Sequence, residues 1–177
     1  SKIRQGITTE INGNCGGSPV PPGRRRGGSE EGNNWSTFEE YFNQLEQSGI
    51  GLNMATLVGH GTVRRYVMEE DHGAPTQVQL DEMKGLVREA MQDGAVGLST
   101  GLAYNPGVFA HTDEVVELAK VSAEYGGIYA THMRDFSSPV LGWSGEEGSV
   151  YQAVEEAIEI GRRSGVRVVQ ISHLSGN

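Results

Sequence analysis

Residues 126–132 read GGIYATH and residues 166–173 read VRVVQISH, two apolar runs that each end in a histidine. Both runs are apolar almost throughout rather than at alternate positions, which indicates strands buried on both faces of a parallel sheet. A helical pattern separates them, and right-handed crossovers bring the carboxyl ends of such strands to one rim. The two stretches therefore place His132 and His173 on one rim of a parallel sheet or barrel.

Three further runs upstream, at residues 7–11, 51–61 and 95–100, predict strands of the same kind. Helical periodicity between the runs predicts four helices. Each helix begins at a capping signal, namely Ser36 with Glu39, Thr76 with Gln79, Thr112 before an acidic turn, and Ser149 with Gln152. The expected fold is α/β, a partial (β/α)8 TIM-type barrel of about five parallel strands alternating with four helices.

The length of the chain, 177 residues, is too short for a complete barrel of this type, which takes about 250 residues. Five strands without closure would leave apolar sheet edges exposed. We therefore expect residues 1–177 to form a single fragment of a larger barrel. A stretch rich in glycine, proline and arginine, residues 20–34, is predicted as a loop of uncertain structure.

The net charge of -9 argues against a surface for nucleic acid or anionic membrane, because such surfaces are basic. No stretch approaches the roughly 20 apolar residues of a membrane helix, and the first residues lack the apolar core of a signal peptide. A single cysteine allows no internal disulfide. These observations predict a cytoplasmic protein with small-molecule partners and set no oligomeric state.

That cysteine, Cys15, follows the strand-like run TTEINGN and so falls on the same rim as His132 and His173. Thiolate sulfur and neutral imidazole nitrogen are the donors that zinc prefers. The three residues are spaced by whole strand–helix units rather than by a CxxC pattern. A buried apolar cysteine beside two hydrogen-bonded histidines explains the spacing equally well.

Five longer motifs are more specific than any single residue. They are GITTEINGNCGGSPVP (6–21), NMATLVGHGTVR (53–64), GAVGLSTGLAYNPG (94–107), GGIYATHMRD (126–135) and AVEEAIEIGRRSGVRVVQISHL (153–174). In this order they resemble the N-acyl-D-amino-acid deacylases, or D-aminoacylases, of the amidohydrolase superfamily. The resemblance implies a metal-dependent barrel enzyme that hydrolyses the amide bond of small-molecule N-acyl-D-amino acids.

The resemblance also implies roles for individual residues. Cys15 in GNCG, His132 in ATHMRD and His173 in ISHL match the family's zinc ligands. The family's HxH motif would precede Ser1, and its general base, an aspartate, would follow Asn177. We therefore predict no catalytic base within residues 1–177, and negligible turnover by these residues alone.

Three residues near the predicted ligands are candidates for substrate binding. Tyr104 in GLAYNPG matches a family tyrosine that faces substrate, although a tyrosine capping a turn fits as well. His60 stands between two glycines and either lines the pocket or forms a hydrogen bond behind it. Arg134 suits a substrate carboxylate, with an ion pair to Asp135 as the alternative.

Two other functions fit the same features. One is a cyclic-amide or acyl-amide amidohydrolase of the dihydroorotase or hydantoinase type, although Cys15 stands where those enzymes usually have a carboxylated lysine. The other is a non-catalytic barrel remnant that needs a partner chain, which the missing rim residues favour.

Overall fold

The computed structural model describes residues 2–20, 35–69, 71–134 and 149–173, with the Ser149 side chain left out. Among these residues the strands are β1 Thr9–Asn12, β2 Asn53–Thr56, β3 Val58–Gly59, β4 Gly97–Gly101, β5 Ile128–His132 and β6 Val169–Ile171. The α-helices are α1 Phe38–Ser48, α2 His60–Met68, α3 Gln77–Gln92, α4 Thr112–Glu124 and α5 Ser149–Ser164. Short 3-10 turns occupy Lys2–Gln5 and Gly107–Phe109.

All strand pairs are parallel and follow chain order. β1 pairs with β2, and β3, β4, β5 and β6 form a sheet in that order. Leu57 alone separates β2 from β3, and its backbone N–H still donates to the Asn12 carbonyl at 3.0 Å. The Val96 N–H likewise donates to the Thr56 carbonyl at 3.0 Å. The strands therefore form one parallel series, which confirms the predicted partial α/β barrel.

The core lies between the strands and the helices. Leu98 of β4 and Tyr129 of β5 are fully buried. They share one apolar cluster with helical side chains, including Val63 of α2, Met83 and Val87 of α3, Val115, Val116 and Leu118 of α4, and Ile160 of α5. Each such side chain contributes about 1.5–3 kcal/mol through burial. This packing fixes the strands and directs their carboxyl ends to a common rim.

None of the described helices combines the length and apolar character needed to cross a bilayer.

The four predicted helices do not include α2, which occupies His60–Met68. Its sequence, HGTVRRYVM, shows no clear apolar stripe, since Arg64 stands on the inner face. Arg64 is fully buried there because Glu114 of α4 supplies a counter-charge. The predicted strand at 51–61 is also shorter than expected, and His60 begins a helix instead of ending a strand.

The structure confirms one of the predicted helix caps and differs from two others. The Thr76–Gln79 capping box is present. The first helix is capped one residue later than predicted, by Thr37 with Glu40 rather than Ser36 with Glu39. α4 begins at Thr112, but the Thr112 hydroxyl donates to Glu156 at 2.8 Å instead of capping the helix. The predicted box at Ser149 depends on a side chain outside the described residues.

Candidate metal centre

Three strand ends bring together the three predicted metal ligands. Cys15 follows β1, His132 ends β5, and His173 follows β6. The Cys15 Sγ lies 3.1 Å from His173 Nε2 and 3.9 Å from His132 Nδ1. One donor atom from each residue lies within 4.8 Å of the other two. The rim therefore gathers a thiol and two imidazoles into one cluster.

The geometry of this cluster suits a single metal ion. Zinc binds sulfur at about 2.3 Å and imidazole nitrogen at about 2.0–2.1 Å, so two donors of one ion are at most about 4.5 Å apart. The two sulfur–nitrogen distances of 3.1 and 3.9 Å lie within that limit. Sulfur and imidazole donors also match the preference of zinc over magnesium or calcium. The residues present therefore fit a zinc ion.

The electrostatics of the cluster depend on burial. Burial lowers the pKa of His132, and the neighbouring His173 lowers it further, which favours the neutral imidazole. Burial raises the pKa of the Cys15 thiol. A cation beside the sulfur reverses that effect by stabilising the thiolate. The cluster is thus a set of sulfur and nitrogen donors that a cation would hold together.

Two of the three donor residues have an unusual backbone conformation with a positive φ angle. Cys15 has φ 56° and His173 has φ 59°, in the left-handed region that residues with a Cβ rarely adopt. Gly16 follows Cys15 with φ 78°, and a Cβ there would lie 2.6 Å from the Gly101 backbone nitrogen. The loop after β1 therefore needs glycine at position 16 to pack against the end of β4.

The loops that carry Cys15 and His173 are joined by their preceding residues. Asn14 Nδ2 donates to the Ser172 hydroxyl at 2.9 Å, and that hydroxyl lies 3.1 Å from Asn14 Oδ1. The Ser172 backbone N–H in turn donates to the Thr131 carbonyl at 2.9 Å. This chain of bonds links the loops of all three candidate ligands.

A buried polar layer lies one residue below the rim. The Thr100 hydroxyl contacts the Tyr129 hydroxyl at 2.9 Å and the Thr131 hydroxyl at 2.8 Å. Burial raises the pKa of Tyr129 to about 12, so its phenol is neutral at physiological pH. The layer ties β4 to β5 immediately before His132.

Tyr104 lies at the edge of the cluster. Its hydroxyl is 3.1 Å from His132 Nδ1, and the two ring centroids are 4.4 Å apart. The side chain is 48% exposed, so the phenol remains accessible from solvent. Burial and then the charge of Cys15 raise its pKa, which keeps the hydroxyl protonated as a hydrogen-bond donor.

His60 is buried in the core and is not among the three converging donor residues. The side chain is 0% exposed, and its Nε2 lies 2.8 Å from Glu114 Oε1. The other Glu114 oxygen accepts from Arg64, whose second terminal nitrogen donates to the Gly73 carbonyl at 2.6 Å. Burial raises the pKa of Glu114, but His60 and Arg64 outweigh it and the pKa is lowered. The structure favours the hydrogen-bonded role of His60 over substrate binding.

Arg134 is also held by the fold. Its guanidinium donates to Glu156 at 2.9 and 3.1 Å, to the Val108 carbonyl at 2.9 Å and to the Ala110 carbonyl at 2.8 Å. The structure therefore favours an ion pair over a substrate contact, and the partner is Glu156. The alternative partner, Asp135, lies outside the described residues.

Sequence reasoning missed Glu114 and Glu156. Glu114 belongs to the acidic turn that follows Thr112 in the sequence, and its burial depends on packing against α2. Glu156 gives a usable signal, because it lies on the buried stripe of α5 that includes Ala153, Ala157 and Ile160. A carboxylate on an apolar helical face predicts a buried partner.

Comparison with known proteins gives matches over almost the whole chain. It is 38% identical over 179 residues to a D-aminoacylase from Alcaligenes xylosoxydans xylosoxydans, covering 97% of this chain and 35% of that protein. It is 37% identical to an N-acyl-D-aspartate deacylase from the same organism, with coverages of 97% and 34%. No protein-family model matches the chain.

Solved structures agree with the sequence matches. A D-aminoacylase described as defining a novel subset of amidohydrolases superposes with a TM-score of 0.80 at 35% identity, over 97% of this chain and 35% of that chain. An N-acyl-D-glutamate deacylase from Bordetella bronchiseptica, complexed with zinc and a phosphonate inhibitor, gives a TM-score of 0.81 at 34% identity. That match covers 95% of this chain and 34% of the solved one.

The fold and the donor cluster define the class of this protein as a parallel α/β barrel protein with a candidate metal centre at the carboxyl rim. The matches confirm the family resemblance, since over 97% of its length the chain is homologous to N-acyl-D-amino-acid deacylases of the amidohydrolase superfamily. The chain spans about a third of the length of the curated relatives it matches.

Proposed function

We propose that this chain forms the metal-binding part of a zinc-dependent N-acyl-D-amino-acid deacylase, an enzyme that hydrolyses the amide bond of small N-acyl-D-amino acids. The observation that carries the proposal is the convergence of Cys15, His132 and His173, whose donor atoms lie within 4.8 Å of one another. Identities of 37–38% to proteins named as deacylases support the reaction. The zinc in the N-acyl-D-glutamate deacylase structure supports the metal.

In this proposal Cys15 holds zinc as a thiolate, and His132 and His173 hold it as neutral imidazoles. When bound, zinc polarises the scissile carbonyl and lowers the pKa of a water molecule. The lowered pKa of His132 keeps its ring nitrogen unprotonated at neutral pH. The hydrogen bonds between Asn14 and Ser172 maintain the spacing between the Cys15 and His173 loops.

We assign substrate orientation to Tyr104. Its accessible hydroxyl lies beside His132, where it can donate a hydrogen bond to the carboxylate of an N-acyl amino acid. We assign no proton transfer to residues 1–177 and leave that step to the aspartate expected after Asn177. The cytoplasm is the location we propose, because a ligand thiol stays reduced there.

The deacylase is favoured over a dihydroorotase-like or hydantoinase-like amidohydrolase, because three curated relatives that match 97% of this chain are named as a D-aminoacylase, an N-acyl-D-aspartate deacylase and an N-acyl-D-glutamate deacylase. It is also favoured over a non-catalytic remnant, because all three donors of the centre are present and converge.

The decisive test is the zinc content of the purified full chain and of its Cys15→Ser variant. We expect one zinc ion per chain, measured by elemental analysis, and a sharp loss of affinity in the variant, measured by competition with a chromophoric chelator. Unchanged affinity in Cys15→Ser would exclude the thiolate from the centre.

Activity provides a second test. The protein that carries this chain, loaded with zinc, should release D-amino acid from an N-acyl-D-amino acid and leave the L-enantiomer intact. Rapid release by residues 1–177 alone would contradict the assignment of the general base to a later aspartate.

A further inference from the structure

The turn that carries Cys15 does not hold its own conformation. Its internal closure is a long hydrogen bond, from the Gly17 N–H to the Asn14 carbonyl at 3.4 Å. Cys15 itself has φ 56°, a conformation that is unfavourable for a residue with a Cβ. A conformation of this kind persists only where the surrounding structure imposes it. Besides Ser172, which bonds the Asn14 side chain, the groups that restrain the turn lie on β4 and α2.

On the β4 side, Ser99 is fully buried and bonds to the turn on both sides of Cys15. Its hydroxyl donates to the Gly13 carbonyl and accepts from the Gly16 N–H at 3.1 Å. One hydroxyl therefore uses its donor and an acceptor lone pair on the two backbone groups that flank the Asn14–Cys15 segment.

On the α2 side, Thr62 holds the residues that follow Cys15. Its backbone N–H donates to the Gly16 carbonyl at 3.1 Å. Its hydroxyl accepts from the Ser18 N–H at 2.9 Å. The first turn of α2 thus holds the residues that follow Cys15, while Ser99 holds the backbone on both sides of Cys15.

We propose that Ser99 and Thr62 are positioning residues that hold the Cys15 sulfur in place for metal binding. The proposal rests on the proposed role of Cys15 as a metal ligand. Without these hydroxyls the turn relaxes to a commoner backbone conformation, and the Sγ moves away from the histidine nitrogens that it now approaches to 3.1 and 3.9 Å. Loss of a group that orients a ligand typically lowers metal affinity by about 10–100-fold.

The experiment compares Ser99→Ala and Thr62→Val with two matched controls in the full chain. Ser122→Ala removes an equally buried serine hydroxyl whose contact is the Ile128 carbonyl at 3.4 Å. Thr56→Val removes a buried threonine hydroxyl that bonds no group among the described residues. Zinc affinity is measured by chelator competition, and urea unfolding of the metal-free proteins measures stability.

Cobalt substitution reports the sulfur directly, because a thiolate bound to cobalt gives a charge-transfer absorption. We expect Ser99→Ala and Thr62→Val to lower zinc affinity by about 10-fold or more and to weaken that absorption, while both controls retain the affinity and the band. A purely structural role would lower stability without changing the cobalt spectrum of the folded protein.

Equal zinc affinity in the test and control variants would overturn the proposal. If Ser99→Ala does not fold, Thr62→Val decides, since it keeps the side-chain volume and lies in another element. Cys15→Ser separates the two proposals. If Cys15→Ser loses zinc affinity and the hydroxyl variants do not, only the positioning role fails. If Cys15→Ser keeps its affinity, the thiolate ligand and the positioning role fail together.

Discussion

Two clusters in this protein are built around histidines at or just after the ends of strands, and they differ in what surrounds the imidazole rings. The rim cluster consists of Cys15, His132 and His173, and its histidines are partly exposed or exposed. The core cluster consists of His60, Arg64 and Glu114. Its members are between 0% and 4% exposed.

The difference lies in charge compensation. In the core cluster the Glu114 carboxylate stands between an imidazole and a guanidinium, so it compensates the Arg64 charge and links α2 to α4. The rim cluster contains a thiol and two imidazoles and no carboxylate, and burial and then His173 lower the pKa of His132 instead of stabilising its charge. A cation satisfies such a set. We infer that the core cluster stabilises the fold and the rim cluster binds metal.

The largest expected effect is the loss of stability in Glu114→Gln. This variant leaves Arg64, which is 0% exposed, without its counter-charge. Removing one partner of a buried ion pair costs about 3–5 kcal/mol. We expect a loss of this size in the free energy of unfolding, measured by urea denaturation, and unchanged zinc affinity in the protein that remains folded.

Glu117→Gln is the matched control, because Glu117 lies on the same helix and pairs with Lys84 and Lys120 near the surface. An exposed pair of this kind is worth about 0–1 kcal/mol. Equal losses in the free energy of unfolding of the two variants would mean that the core cluster stabilises the fold no more than a surface ion pair does.

The second prediction compares alanine substitutions of one histidine from each cluster, His132 and His60. His132→Ala should reduce zinc affinity by more than the roughly 10–100-fold typical of losing an outer partner, with little change in metal-free stability. His60→Ala should leave zinc affinity unchanged and lower stability by about 1–3 kcal/mol, because Glu114 loses a buried hydrogen bond. Chelator competition and urea unfolding measure the two quantities. If both variants lose zinc equally, the division between the clusters is wrong.

The third prediction concerns acid stability. Burial raises the pKa of Glu114, but the hydrogen bond and charge of His60 and the charge of Arg64 lower it overall. A carboxyl with a depressed folded pKa stabilises the protein above its unfolded value of about 4.3, and this contribution is lost as the pH falls through the folded pKa. The wild-type free energy of unfolding should therefore fall more steeply below about pH 4.3 than that of Glu114→Gln.

Glu117 shares this sign, since its hydrogen bond to Lys120 helps to lower its pKa. Measuring Glu117→Gln over the same pH range isolates the contribution of Glu114. Parallel curves for wild type and Glu114→Gln would show that the core carboxyl does not titrate as expected.

The strands, most helices and the three rim residues could be predicted from the sequence, and the residues of the core cluster could not. The apolar runs before His132 and His173 identify parallel strands because such strands are buried on both faces. α2 was missed because its inward face carries Arg64, and a local pattern cannot show that Glu114, fifty residues later, neutralises it. The same limit applies to Arg134, whose partner Glu156 comes from the next helix.

The last prediction has the smallest expected effect. It tests whether Tyr104 is a member of the rim cluster or only contacts it. Its hydroxyl lies 3.1 Å from His132 Nδ1, yet the ring is 48% exposed. If the phenol orients substrate, Tyr104→Phe removes one hydrogen bond to the substrate carboxylate, worth about 1.5–3 kcal/mol, so KM rises by about tenfold or more while kcat and zinc affinity stay the same. The assay uses the zinc-loaded protein that carries this chain.

Tyr125→Phe is the control for that measurement, because Tyr125 is similarly exposed and its hydroxyl accepts from Gln92 at the end of α3. A loss of zinc affinity in Tyr104→Phe comparable to that of His132→Ala would make the phenol a fourth member of the rim cluster. An unchanged KM would assign Tyr104 to the turn that contains it. The predicted result is a raised KM with unchanged zinc affinity. It would mean that His132 binds the metal, whereas the neighbouring Tyr104 contacts substrate and does not bind the metal.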